Sequence, residues 1–262
     1  MNGILEKIVR HKKQEIQKLK AVEPQSKLIT DYRLKNTSIS MQEAIINGSG
    51  VIAEFKRASP SKGLINAEAD IISITHGYQH NGASAISVLT DSHFFSAKED
   101  DLISARETVD IPILRKDFTI DLYQIYQAKI MGADCILLIA AILTAGEIKE
   151  FITVANDLGM DSIIEVHSHN ELDKLSGNEK IIGVNNRNLD TFEVDIETSL
   201  QLVHQLGDVI KISESGLDAE SNLKALVNAG YHGFLVGESF MKEDDASKAC
   251  QSFVNKVNML KS

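Results

Sequence analysis

Two glutamates and two lysines in short apolar runs are the residues whose types fit acid–base chemistry. Glu54 and Lys56 stand two apart in VIAEFK, so both side chains point to the same side of a strand. Lys116 ends the run ILRK, and Glu165 lies inside IIEV. A carboxylate among isoleucines and valines loses its hydration, so it needs a partner or a function. Ammonium and carboxylate groups at these positions indicate proton transfer with a substrate.

Further polar residues and glycines follow other apolar runs. VNNRN supplies Asn185 and Arg187, and RASPSKG after the first run supplies Ser59. The last two runs are followed by Ser215, Gly216, Gly237 and Glu238. Glycines at such positions expose backbone N–H groups to a phosphate. Together with two lysines and one arginine, this set indicates a small phosphorylated and otherwise anionic substrate.

Each of these groups alone also fits a structural role. Glu54 and Lys56 fit a structural ion pair, and Lys116 fits a solvated loop charge between two other charged residues. The glycines after the last two runs fit plain turns. The combination is more specific than its parts, and it favours a catalytic site.

The sequence predicts neither a metal site nor a cofactor. It contains no transition-metal ligand spacing, and His167 fits a loop or supporting position because no other histidine follows a strand. Cys135 and Cys250 are far apart and suggest neither a metal cluster nor a disulfide framework.

The elements that position these residues follow from an internal repeat: a helix, a glycine, a few residues, then a short apolar run. The helix-ending glycines are Gly82, Gly132, Gly159, Gly207 and Gly230. The apolar runs lie at 51–56, 85–89, 113–116, 135–139, 162–166, 181–184, 209–213 and 233–236. Ser or Thr followed three residues later by Glu is the spacing of a capping box, and it predicts helix starts at Ser96–Glu99, Thr144–Glu147 and Ser168–Glu171.

Alternation of strand and helix predicts a parallel sheet, and eight units fit an α/β fold of the (β/α)8 TIM barrel type. For an open sheet about five or six strands would be expected, and no G-x-G-x-x-G follows the first run. We therefore predict an N-terminal helical extension over residues 1–48, packed on a single-domain barrel over residues 49–262. In such a barrel the strand ends converge, which brings the polar residues to one mouth.

The charge of the chain is unevenly distributed. The formal net charge is −10, whereas residues 1–20 carry +4 and the remainder −14. The first twenty residues form a basic amphipathic pattern that Pro24 ends, and such a helix either lies on a membrane or docks on its own acidic barrel. We favour docking.

Composition excludes several classes of protein. An acidic surface repels nucleic acid and anionic lipid, and no apolar run reaches about 18 residues. The start of the chain has no signal-peptide core. We expect a soluble cytoplasmic protein that contacts neither nucleic acid nor membrane. The sequence favours a monomer.

At the polar strand ends the sequence resembles a known family, indole-3-glycerol-phosphate synthase of the tryptophan pathway. The likeness covers nearly the whole chain, including ILEKIV at residues 4–9. Its motifs are AEFKRASPSKG (53–63), SVLTD (87–91), ILRKDF (113–118), IIEVH (163–167), GVNNRNL (183–189) and SESGL (213–217).

The resemblance implies a carboxy-lyase that closes the ring of 1-(2-carboxyphenylamino)-1-deoxy-D-ribulose 5-phosphate, releasing CO₂ and water. The family's catalytic residues fall on Lys56, Lys116, Glu54, Glu165 and Asn185. Its binding residues fall on Ser59, Arg187, Ser215, Phe95, Phe118, Leu137 and Leu189, with Gly216, Gly237 and the Glu238 backbone N–H at the phosphate. The Glu238 carboxylate would repel a phosphate, so only its backbone helps. The four apolar residues also fit plain packing at the barrel mouth.

Two other functions remain open at this point. In the first, Lys56 or Lys116 forms a Schiff base with a phosphosugar ketone, as in an aldolase. In the second, the protein binds a phosphosugar without turnover. The paired lysines and glutamates argue against the second function, because binding an anion gains nothing from buried carboxylates.

Overall fold

A closed barrel of eight parallel strands forms the centre of the protein in the computed structural model, which describes residues 3–189 and 191–262. Each strand pairs with its neighbours in chain order, and the first pairs with the last. The strands are β1 (Val51–Phe55), β2 (Ala85–Leu89), β3 (Ile113–Lys116), β4 (Cys135–Ile139), β5 (Asp161–Val166), β6 (Ile181–Asn185), β7 (Ile210–Glu214) and β8 (Gly233–Val236). The predicted (β/α)8 barrel is confirmed, with strand ends shifted by at most one residue.

Helices precede the barrel, connect its strands and end the chain. They are α1 (Ile4–Val22), α2 (Gln25–Leu28), α3 (Met41–Asn47), α4 (Ile71–His80), α5 (Ser92–Phe95), α6 (Asp101–Thr108), α7 (Leu122–Met131), α8 (Ala145–Asp157), α9 (His169–Leu172), α10 (Glu197–Leu202), α11 (Glu220–Asn228), α12 (Glu238–Met241) and α13 (Ala246–Lys261). Short 3₁₀ turns occupy Tyr32–Lys35 and Val203–Gln205, and Ala58–Ser59 pairs with Gly63–Leu64 in the loop after β1.

Helix ends follow the local signals in most places. The five predicted helix-ending glycines all have positive φ, between 67° and 93°. Thr144 and Glu147 form a complete capping box at the start of α8. Ser168 precedes α9, but its hydroxyl donates to the Glu171 carboxylate and does not cap a backbone N–H.

The predicted helix start at Ser96 is wrong. Ser96 ends the short helix α5 with a φ of 56°, and α6 begins five residues later. Asp101 explains the shift: its carboxylate accepts from the Lys98 backbone N–H at 2.8 Å and pairs with the buried Arg57 guanidinium, whose Nη2 lies 2.9 Å away. A partner 44 residues away in the chain therefore sets this helix start.

The interior of the barrel is a stack of apolar side chains with a polar top. One cluster contains the inward side chains Ile52, Ala85, Leu114, Leu137, Ile163, Ile181, Ile212 and Leu235. Met41 and Ile45 of α3 join this cluster, and Ile45 packs beside Gly233 at the start of β8, so α3 closes the bottom. Because strand side chains alternate, several of the next inward positions are polar, among them Glu54, Lys116 and Glu165.

Helix α1 lies across the top of the barrel. Ile8 joins the interior cluster, and Ile16 packs with Tyr123 of α7. The Lys12 ammonium is buried 2.9 Å from the Asp91 carboxylate and 3.0 Å from that of Asp117. The apolar stripe and one basic residue of α1 therefore both face the barrel.

The division into an extension (1–48) and a barrel (49–262) stays a prediction, and its first two residues, Met1 and Asn2, lie outside the described residues. Among the helices that the structure describes, none has both the length and the apolar character to span a membrane.

Candidate active site

The mouth of the barrel opens into a cavity of about 200 Å³ at the carboxyl ends of the strands. All of the residues that the sequence predicted for a site line this one cavity. They are Glu54, Lys56, Ser59, Phe95, Lys116, Phe118, Leu137, Glu165, Asn185, Arg187, Leu189, Ser215, Gly216, Gly237 and Glu238. Residues from all parts of the barrel thus meet at the predicted place.

Lys116 lies at the centre of a buried charge cluster. Its ammonium nitrogen donates to Glu165 Oε2 at 2.8 Å and to Glu214 Oε2 at 3.2 Å. Strands β3, β5 and β7 bring these three side chains together, and both carboxyl groups are almost fully buried. The arrangement places one proton donor between two proton acceptors.

Asn185, at the end of β6, connects this cluster to the neighbouring loops. Its Nδ2 donates to Glu165 Oε1 at 3.4 Å. Its Oδ1 accepts from the Arg187 backbone N–H and from the Ser215 hydroxyl, each at 3.0 Å. One amide therefore orients a carboxylate on one side and two predicted binding residues on the other.

Lys56 and Glu54 form the second ion pair of the cavity, with Nζ 2.8 Å from Oε1. Ser87 also donates to Glu54, at 3.4 Å. Gly237 is required beside them: a Cβ there would lie 2.6 Å from Glu54 Oε1 and 2.8 Å from its Cβ. The loop after β8 can therefore approach Glu54 only as glycine.

Charged and apolar side chains divide the walls of the cavity. On one side, Arg187 Nη2 lies 3.4 Å from Glu238 Oε2, and Lys62 Nζ lies 3.7 Å from Glu238 Oε1. On the other side, the rings of Phe95 and Phe118 tilt against each other with centroids 6.2 Å apart. The cavity therefore offers contacts both to a flat apolar group and to an anion.

Comparison with known proteins assigns the chain to a family. The family model for indole-3-glycerol phosphate synthase matches residues 5–253. The chain belongs to the indole-3-glycerol phosphate synthase family. The synthase of Bacteroides thetaiotaomicron is 43% identical over 98% of this chain and its own full length. That of Trichodesmium erythraeum is 42% identical over 97% of this chain and 89% of its own length.

Solved structures outside this family share the fold alone. A thiamine phosphate pyrophosphorylase from Pyrococcus furiosus superposes with a TM-score of 0.62 at 14% identity, over 85% of this chain and all of that one. Barrels of this kind carry many reactions, so the family assignment rests on the sequence match and not on the fold.

The charges of Lys116, Glu165 and Glu214 shift one another's pKa values. Burial opposes the charge on Lys116, but Glu165 and Glu214 outweigh it and raise the pKa of the ammonium group. Burial would raise the pKa of Glu165 as well, yet Lys116 and His167 hold it well below its usual range. Burial raises the pKa of Glu214 to about 7, with Lys116 opposing and the charges of Glu165 and Glu54 adding to the rise. These pKa shifts favour a protonated Lys116 and an ionised Glu165 at neutral pH.

Sequence reasoning missed Glu214, which lines the cavity and contacts Lys116. The predicted seventh strand ended at residue 213, one short of this glutamate. A signal was present, because Glu214 stands two residues after the inward-facing Ile212 and so shares its side of the strand.

Sequence reasoning also missed the wall that α1 provides. Ile4, Leu5 and Ile8 line the cavity from above. The apolar stripe of α1 was recognised, but its place over the mouth depends on tertiary packing that no local sequence pattern indicates.

Within the described residues, no three His, Cys, Asp or Glu side chains form a group that could hold a metal ion.

Proposed function

We propose that this chain is an indole-3-glycerol-phosphate synthase, a carboxy-lyase of tryptophan biosynthesis. It converts 1-(2-carboxyphenylamino)-1-deoxy-D-ribulose 5-phosphate to indole-3-glycerol phosphate, CO₂ and water. The observation that carries the proposal is the Lys116 ammonium, held between Glu165 and Glu214 on the floor of the cavity. This geometry supports acid–base catalysis in the reaction that the names of the relatives describe.

The first step forms a carbon–carbon bond. The aromatic carbon that bears the carboxylate attacks the ketone carbon, while Lys116 protonates the ketone oxygen so that no charge accumulates there. Lys56 holds the substrate carboxylate until the ring carbon expels CO₂. Glu54 orients Lys56 through their 2.8 Å contact.

The second step removes water. A lysine ammonium, Lys56 or Lys116, protonates the hydroxyl as it leaves, and Glu165 takes the proton whose loss makes the new ring aromatic. Over both steps the protein donates two protons, to the ketone oxygen and to the leaving hydroxyl, and Glu165 accepts one. The net uptake of one proton by the substrate balances the negative charge that disappears when the carboxylate leaves as CO₂. Asn185 orients Glu165 throughout.

Substrate binding divides between the two sides of the cavity. Arg187, Ser59, Ser215 and the backbone N–H groups of the loops after β7 and β8 hold the phosphate end. The apolar side chains Phe95, Phe118, Leu137 and Leu189 clasp the aromatic ring. The ligand is thus a small phosphorylated anion, and its charges explain why cations gather at the mouth of an acidic protein.

We further propose that the chain works as a monomer in the cytoplasm, without nucleic acid or membrane. The net charge of −10 supports this, as do two buried cysteines far apart in the chain. Light scattering behind a sizing column tests the monomer, and a mass near 58 kDa, roughly twice the 28.8 kDa chain, would contradict it.

Incubation of the wild-type protein with the carboxyphenylamino substrate tests the activity, followed by the fluorescence of the indole product. We expect continuous formation of indole-3-glycerol phosphate. Borohydride added during turnover separates the aldolase alternative, because only a Schiff base leaves a stable adduct on Lys56 or Lys116. The raised pKa of Lys116 argues against that alternative, since an imine needs the neutral amine. Binding without turnover would support the non-enzymatic alternative.

A further inference from the structure

His167 directly follows β5 and has no role in the steps above. Its Nε2 lies 3.1 Å from Glu165 Oε1, and its Nδ1 lies 3.3 Å from Glu171 Oε2. The Glu171 carboxylate also accepts from the His167 backbone N–H at 2.8 Å, which fixes the ring between the two acids. Nδ1 lies within hydrogen-bond distance of Glu171, whereas Nε2 contacts Glu165 at ion-pair distance without forming an aligned hydrogen bond to any described residue. Because a carboxylate oxygen lies within 3.3 Å of each ring nitrogen, the arrangement favours a positively charged imidazolium.

The two carboxylates that share Lys116 are not equivalent. Glu165 has Lys116 at one oxygen and both His167 and Asn185 at the other. Glu214 has Lys116 at Oε2, while its buried Oε1 has no hydrogen-bond partner among the described residues. Two groups therefore distinguish Glu165 from Glu214, the neutral Asn185 amide and a second cation, and that cation is His167.

We infer that His167 is a positioning residue that keeps Glu165 the ionised member of the Glu165–Glu214 pair and so gives Glu165 the role of base. The inference rests on the proposed function, and it adds the reason why one glutamate and not the other accepts the proton. Without a positive charge at position 167, Lys116 would be the one cation in contact with both Glu165 and Glu214, and the two carboxylates would compete for its stabilisation.

The other charges around His167 agree with this role. Glu165 faces the ring from β5 and Glu171 faces it from α9; Lys116, Glu214 and Glu54 lie beyond Glu165 on β3, β7 and β1. Burial would lower the pKa of His167, but the contacts with Glu165 and Glu171 outweigh it and raise the pKa to about 10. The imidazolium therefore persists through the neutral range in which Glu214 titrates.

The protonation of His167 is measured on the free wild-type protein by NMR with ¹⁵N-labelled histidine, with H167Q providing the assignment. We expect both ring nitrogens to carry protons at pH 7.5 and a midpoint above pH 9. A midpoint below pH 7, or a single protonated nitrogen at pH 7.5, would overturn the inference. This measurement needs no substrate, so its result does not depend on the proposed reaction.

The pH profile of kcat tests the consequence for catalysis. H169Q is the matched control, because His169 is an exposed histidine two residues away that contacts Gln205. We expect H167Q to shift the acidic limb of the kcat profile upward by about one unit, so that its loss of kcat grows as pH falls, since the base loses a neighbouring cation. An equal loss at every pH, or an unchanged profile, would overturn the role. Absence of wild-type turnover would instead reject the proposed function and leave the NMR result standing.

Discussion

The ammonium group of Lys12 lies 3.0 Å from the carboxylate of Asp117, the residue that follows Lys116 at the end of β3. Asp117 also accepts from Thr90 at 2.8 Å and pairs with Arg115 at 3.1 Å. A single buried charge on α1 is therefore coupled to the strand end that carries the central lysine. The N-terminal helix belongs to the architecture of the site and not only to its surface.

We expect K12M to destabilise the protein by about 3–5 kcal/mol, because it removes the buried cation that Asp91 and Asp117 share and leaves Asp117 with Arg115 alone. Urea unfolding followed by circular dichroism measures the change. K20M is the matched control, since Lys20 pairs with Asp121 at 2.7 Å but is 35% exposed. Its expected cost is at most about 1 kcal/mol. Equal effects of the two variants would show that burial of Lys12 does not matter.

A methyl group at Gly237 is expected to displace Glu54, whose side-chain atoms lie within 3.0 Å of the added Cβ. G237A should lose stability by about 1–3 kcal/mol and should lower kcat, because Glu54 no longer orients Lys56. G146A serves as the control, since a Cβ there meets only Thr144 Oγ1 at 4.0 Å. Wild-type kinetics in G237A would contradict the close approach.

Glu238 is expected to weaken the binding of phosphate, because its carboxylate stands beside Arg187 at the predicted phosphate end. E238S should bind inorganic phosphate more tightly, by up to about 1 kcal/mol, as measured by isothermal titration calorimetry. E243S, which removes an exposed glutamate beyond α12, should leave the affinity unchanged. Weaker binding by E238S would mean that Glu238 holds Arg187 in place for the anion.

The stability of the protein should depend on the titration of His167. The folded-state pKa of about 10 lies above the usual histidine value, so the contribution is complete below about pH 6.5 and is lost as pH rises through 10. The free energy of unfolding of the wild type should therefore fall by a few kcal/mol between those limits. H167Q should show a flatter curve over the same range. Parallel curves would contradict the raised pKa.

The sequence predicted the barrel and the cavity residues because both depend on local order. Each repeat of a glycine and an apolar run corresponds to one strand, so the repeats give the number of strands. Because side chains alternate along a strand, the sequence also places Glu54, Lys116 and Glu165 on inward positions. Contacts between segments that are distant in the chain could not be predicted, because no local sequence pattern indicates them. The Arg57–Asp101 ion pair places the start of α6 away from the predicted position at Ser96, and α1 covers the mouth of the barrel with Ile8. Glu214 was missed because one residue at a strand end decides whether a glutamate belongs to the loop or to the interior.

The most direct test of the proposed chemistry is the turnover of K116M and E165Q with the carboxyphenylamino-ribulose phosphate, measured by indole fluorescence beside the wild type. We expect both variants to lose roughly 10²–10⁴-fold in kcat while phosphate-dependent binding survives. K149A, at an exposed lysine of α8, should retain wild-type kcat. Near-normal turnover in both K116M and E165Q would contradict the roles assigned to the central lysine and its base.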